Sequence, residues 1–137
     1  MADAVTSQTI VDTEKRVVMK VTNLSDGNGE AAVKKVDVSA LTAHPDGTAC
    51  SQVTIDQIWY DVGGMRVLID FDASTNVAAL VLGGSAAAGN VHGHMDFRSF
   101  GGIKNNASSP TGDLDFTTSG HTNLDHYTIV LEMRKQY

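Results

Sequence analysis

Apolar and polar residues alternate with period two along most of the chain, which is the signature of half-buried antiparallel strands. Val17, Met19 and Val21 fall on one side of such a strand, with Arg16, Lys20 and Thr22 on the other. Val36 and Val38 oppose Lys35, Asp37 and Ser39. Met65, Val67, Ile69 and Phe71 oppose Arg66, Asp70 and Asp72, with Leu68 as an apolar exception. Leu114 and Phe116 oppose Asp113, Asp115 and Thr117. The last segment is the cleanest, with Tyr127, Ile129, Leu131 and Met133 against His126, Thr128, Glu132 and Arg134. A helical period fits none of these segments as well.

Two segments change phase midway. Val53 and Ile55 are odd-numbered, whereas Ile58, Tyr60 and Val62 are even, with Asp56-Gln57 at the switch. Val33 and Val36 slip in the same way across Lys34-Lys35. An inserted residue that re-aims side chains is a β-bulge, common in curved sandwiches and barrels. Val77 to Leu82 is apolar on both faces, which predicts either a central strand or one covered by another subunit. Ser25-Asp26-Gly27-Asn28-Gly29, Val62-Gly63-Gly64 and Asp72 to Asn76 carry turn residues. Thr42–Ser51, Gly83–Asn90 and Lys104–Gly112 form longer connections. Residues 1–13 are sparsely apolar and predict an N-terminal arm. Residues 14–137 then form one all-β domain, an antiparallel β-sandwich or jelly-roll-like barrel of about eight or nine strands.

Composition agrees. Valine occurs fifteen times against eight leucines, and aspartate thirteen times against three glutamates; the β-branched residue is thus favoured over the helix formers. At 137 residues, the chain can bury roughly two-thirds of its unfolded surface without disulfides or metal. A net charge of −6 speaks against nucleic-acid binding, which rests on cationic neutralisation of phosphates. The longest apolar run is short and glycine-broken, which predicts no membrane span. The first residues lack a basic and an apolar region, so no signal peptide is expected. Cys50, the single cysteine, has no internal partner and no adjacent cation to make a reactive thiolate.

Chemistry concentrates in Val91-His92-Gly93-His94-Met95-Asp96-Phe97. On a strand, His92, His94 and Asp96 share a face, and with His121 or His126 they have the lettering of a two-histidine, one-carboxylate metal triad. The bland alternative is a polar strand face that tolerates histidine, and the expectation is no metal and no cofactor. Asp26-Gly27-Asn28-Gly29-Glu30 resembles a fragment of a calcium loop but lacks its spacing, so a hairpin turn is expected. The pairs Asp70/Asp72 and Asp113/Asp115 could do acid–base work only if burial split their pKa values. Lying on polar sides of alternations, they are expected to be solvated. Trp59-Tyr60 is read as a recognition pair or as one core aromatic. No nucleophile elbow and no phosphate loop is present, and no catalytic role is expected.

One resemblance adds to this reading. Glu14-Lys15-Arg16-Val17-Val18-Met19-Lys20-Val21-Thr22-Asn23-Leu24-Ser25-Asp26-Gly27, followed by Val36-Asp37-Val38-Ser39, resembles the opening of small structural proteins of tailed bacteriophages, marine ones especially. Ile58-Trp59-Tyr60, Phe100-Gly101-Gly102-Ile103-Lys104-Asn105-Asn106, Gly120-His121-Thr122 and Tyr127 to Glu132 continue the likeness almost to the last residue. These are scaffold and turn residues, and they assign no site. The resemblance implies a virion component, first a capsid decoration (cement) protein that clamps the major capsid protein. Alternatives are a tail-tube, neck or head-completion protein, or a small β-barrel metal- or sugar-binding protein (cupin-like). The implied partners are other virion subunits and further copies of the chain, neither nucleic acid nor membrane, and the implied location is the virion.

Overall fold

The alternating segments become strands in a computed structural model that describes residues 4–83 and 90–137. Nine strands occur among these residues: β1 Ala4–Asp12, β2 Arg16–Asp26, β3 Val33–Val36, β4 Gln52–Gly63, β5 Arg66–Ala73, β6 Val77–Gly83, β7 Asn90–Asp96, β8 Pro110–Ser119 and β9 Asn123–Gln136. They form two antiparallel sheets, one of five strands in the order β1-β2-β9-β4-β7 and one of four in the order β3-β8-β5-β6. The fold is an all-β sandwich. No helix among the described residues is long and apolar enough to cross a membrane.

The apolar sides of the alternations meet between the sheets. Val17, Val21, Ile55, Ile58, Ile129 and Leu131 come from the five-stranded sheet, and Val67, Ile69, Leu114 and Phe116 from the other; all are fully buried. The Phe116 and Tyr127 rings join the two layers, centroids 5.9 Å apart and tilted by 54°. Each such aliphatic side chain stabilises the fold by about 1.5–3 kcal/mol through removal from water.

Both phase changes are bulges. The β4–β9 register skips between Ile55 and Gln57, so Asp56 is the extra residue, and Ile55 and Ile58 both reach the core. Asp56 turns out of the ladder and accepts from Arg134 Nε at 2.9 Å. The β3–β8 register skips between Lys34 and Val36. That bulge aims Lys35 inward, where its ammonium pairs with the Glu30 carboxylate. Glu30 Oε1 also accepts from Tyr127 Oη at 2.6 Å and Asn23 Nδ2 at 2.8 Å. This buried network links the β2–β3 connection to β9. It removes Glu30 from any oxygen cage of the turn before it, where Asp26 Oδ1 instead accepts from the Asn28 backbone N–H at 3.1 Å.

The structure refines three expectations. Residues 4–12, expected as an extended arm, form an edge strand hydrogen-bonded to β2 along its length. Its end is fastened by the buried Lys135 ammonium, which pairs with Asp12 and donates to the Thr13 carbonyl at 2.6 Å and the Thr42 carbonyl at 2.9 Å. Of the two alternatives for Val77–Leu82, a central strand or one covered by another subunit, the first is excluded, because among the described residues β6 pairs only with β5 and closes the four-stranded sheet. The third change concerns the carboxylates, described below. Residues 84–89 of the connection after β6, a segment with no strand expected, lie outside the described residues.

Candidate functional site

Three cross-strand rows on the outer face of the five-stranded sheet hold the histidines. Antiparallel register sets Glu132 beside Gln57 beside Asp96, then Val130 beside Trp59 beside His94, then Thr128 beside Asp61 beside His92. The bulge at Asp56 is what puts Trp59 outward. It shifts the phase of β4, so Ile58 and Val62 enter the core, Tyr60 packs against it, and the indole between them faces solvent at 38 % exposure.

The His94 imidazole stacks on the indole, centroids 4.8 Å apart and planes within 9°. Its Nε2 lies 2.8 Å from Gln57 Oε1. A carbonyl oxygen only accepts, so Nε2 carries the proton of that bond. Gln57 Nε2 in turn donates to Glu132 Oε1 at 3.0 Å. The stacked Trp59 and His94 rings, with Asp61, His92, Thr128 and Val130, line a shallow open cavity of about 430 Å³.

This arrangement distributes the expected metal ligands among other tasks. His92, His94 and Asp96 do share the exposed face of β7. Asp96, however, is bound by its neighbour Arg98 through Nε at 2.9 Å and Nη2 at 2.7 Å. The guanidinium holds its carboxyl down at about 2. His94 spends its Nε2 on Gln57. His126 packs against Gly63 beside Asn90, and His121 against Gly29, so neither is delivered to His94. Among the described residues no group of three or more His, Cys, Asp or Glu is placed to hold a metal ion.

Of the two aspartate pairs, expected to be solvated, Asp70, Asp113 and Asp115 are buried and Asp72 is partly exposed. Pairing of β5 with β8 sets Asp70 opposite Asp115, and Asp70, Asp113 and Asp115 are each 9 % exposed or less. Burial, followed by the charge of Asp72 and a hydrogen bond shared with it, pushes the Asp115 carboxyl up to about 6. Burial also raises Asp70. Asp113 is held by the Val38 N–H at 2.9 Å and by Lys34 Nζ at 3.1 Å, and Asp72 accepts from Thr111 Oγ1 at 2.8 Å. Alternation had identified the face of these residues correctly. It could not show that neighbouring side chains cover it. Cys50 is buried in its loop, which pushes its thiol up and keeps it unreactive.

The sequence singles out Trp59-Tyr60 as a recognition pair or one core aromatic, and leaves open which of the two faces outward. The signal was the phase change at Asp56-Gln57, because a bulge there decides which of Trp59 and Tyr60 turns outward.

No family model matches the chain, and no curated protein matches it. Among solved structures it is similar to a family 29 carbohydrate-binding module, with TM-score 0.34, 9 % identity, and coverage of 96 % of this chain and 88 % of the other. A variant of such a module gives TM-score 0.34 and 10 % identity over 96 % and 91 % of the two chains. Another, complexed with cellulohexaose, gives TM-score 0.33 and 10 % identity over 96 % and 91 %. These are loose overlays, and the sandwich described above rests on this chain's own strand pairing.

Proposed function

We propose that the chain is a non-catalytic structural subunit of a tailed-phage virion, in the first place a capsid decoration protein that clamps neighbouring major capsid subunits. The phage resemblance motivates the reading. The observation that carries it is β6. Six consecutive apolar residues, Val77 to Leu82, run along the unpaired edge of the four-stranded sheet. Val81 there is 58 % exposed. Natural sheets shield edges with charge, proline or cover, and β6 carries neither charge nor proline. A neighbouring subunit provides the cover.

The test is co-sedimentation of the purified chain with assembled, undecorated capsids, with Val81→Lys as the comparison. Binding of the wild type to shells and its loss in V81K supports decoration. Hexameric rings or tubes in the free protein would move the role to the tail. Indifference to every assembled virion part would overturn the reading.

The sugar-binding alternative has its own observation, the exposed Trp59 indole beside Asp61, His92 and Thr128. A pyranose pairs an apolar C–H face with a rim of hydroxyls, and a ring wall with a few polar groups suits that chemistry. Trp59 is the sole tryptophan, so its fluorescence reports directly on the cavity. Saturable quenching by a soluble oligosaccharide, abolished in His92→Ala, supports this alternative; an unmoved spectrum across a panel of oligosaccharides removes it.

A further inference from the structure

A second open edge of the sandwich is β1, and it is built differently from β3 and β7. β3 is four residues long and carries Lys34 and Lys35. β7 presents His92, His94 and Asp96. Strand β1 spans nine residues, and from Ala4 to Val11 it has no charged side chain and no proline. It is paired on one side only, with β2. Its burial is equally unusual, since Ala4 to Ile10 are exposed whichever way they point. The four-stranded sheet ends at β3 on one side and β6 on the other, and it leaves the β1 side chains uncovered. A long, uncharged, unshielded edge is a template for another strand.

We propose that β1 pairs antiparallel with β1 of a second copy of this chain, joining two five-stranded sheets into one continuous sheet about a twofold axis. The sequence of the strand suits this occupant. A twofold axis makes the interface self-complementary, so each residue must tolerate its own partner's counterpart. An uncharged strand meets that condition without like-charge repulsion. Register is narrowed by parity. Thr6 and Gln8 lie on the outer face with Thr22 and Lys20, and Val5, Ser7 and Thr9 lie on the inner one with Asn23, Val21 and Met19. A continuous sheet sets outer residues beside outer residues, so the paired positions differ by an even number.

The bulge between Thr9 and Val11 ends the regular stretch, which centres the pairing near Ser7. Ser7 then faces its own copy, Thr6 faces Gln8, and Val5 faces Thr9. The polar members of these pairs can hydrogen-bond across the axis. Asp12, the one charge of the strand, stays outside the paired stretch, already neutralised by Lys135. This pairing deepens the assembly role proposed above and rests on it for its context. It names the partner of one edge, while β6 remains the edge offered to the shell.

The experiment is light scattering after size exclusion on the full chain over a dilution series, with Ser7→Lys, Ser7→Glu and an equal mixture of the two. The wild type is expected to dimerise. Each single variant sets like charges opposite one another across the axis, weakening the dimer about a hundredfold, and the mixture restores it as a heterodimer. Circular dichroism checks that each variant folds, as an exposed edge position allows. A monomeric wild type throughout the series, or a dimer indifferent to both variants, overturns the proposal. So does a mixture no better associated than its components. Shell binding is read separately by co-sedimentation, so a protein that binds capsids as a monomer refutes β1 pairing alone. A dimer that binds no virion part refutes the assembly role alone.

Discussion

Two regions of the sandwich bury carboxylates to a similar degree and treat them in opposite ways. In the network below the β2–β3 connection, Glu30 meets the Lys35 ammonium, the Tyr127 hydroxyl and the Asn23 amide. Its charge is matched, and removal of the carboxylate strands a buried cation. On the outside of the four-stranded sheet, the buried Asp70, Asp113 and Asp115 gather with the partly exposed Asp72, and the neighbouring Lys34 is engaged by Asp113. Charge there is in excess, and Asp115 responds by holding its proton to about 6. Burial alone therefore does not tell whether a charge supports a fold. What it is paired with decides the sign.

The largest effect that tests this contrast is Glu30→Ala. It is expected to destabilise by about 3–5 kcal/mol, because Lys35 loses its counter-charge inside the protein. Urea unfolding of the two proteins reads it, and replacing both partners together by Leu and Met should recover much of the loss. A Glu30→Ala protein as stable as the wild type would mean the network is not matched charge at all.

Asp115→Asn is expected to act in the opposite direction, with a gain of about 1–2 kcal/mol at neutral pH from relief of desolvation and repulsion. The sign follows from the raised carboxyl. With a folded pKa of about 6 against an ordinary value of 3.8, the folded state binds the proton more tightly than the unfolded one. The stability contributed by that proton is complete below about 4 and is lost as the pH rises through 6. The advantage of the Asn variant should therefore be full above pH 6 and fade toward pH 4. A gain that does not change between pH 4 and 7 would show that the carboxylates are not sharing the proton.

Tyr127→Phe isolates one bond of the matched network and should cost about 1–2 kcal/mol, with the ring contact to Phe116 retained. The smallest effect belongs to Trp59→Ala, on the solvent side of the other sheet. It is expected within about 1 kcal/mol of wild type, since the indole faces water and stacks mainly on His94. A large loss of stability there would make Trp59 a packing residue and remove it as the wall of a binding face.

Much of the architecture was legible from local sequence. Strand positions, the inward sets such as Ile129-Leu131-Met133, and the bulges at Asp56 and Lys35 all follow from side-chain parity, which each stretch carries by itself. The candidate face was legible in part: His92, His94 and Asp96 were placed on one side of β7, as their spacing implied. The engagement of His94 and Asp96 was not legible, because Gln57 and Trp59 hold the one and Arg98 the other through pairings and turns that the H-x-H-x-D lettering does not contain.

The division has one physical cause. A period of two is a property of consecutive residues, since successive Cβ atoms point to opposite sides of a strand. The sequence by itself therefore determined that this is an all-β chain, where most of its strands run and which side of the alternating ones is apolar. Strand neighbours are decided by closure of long loops and by packing of the two layers, which no single segment encodes. That level placed β1 and β6 at open edges, set Asp70 against Asp115, and turned Trp59 rather than Tyr60 toward water. It also decided which charges became matched and which were left in excess.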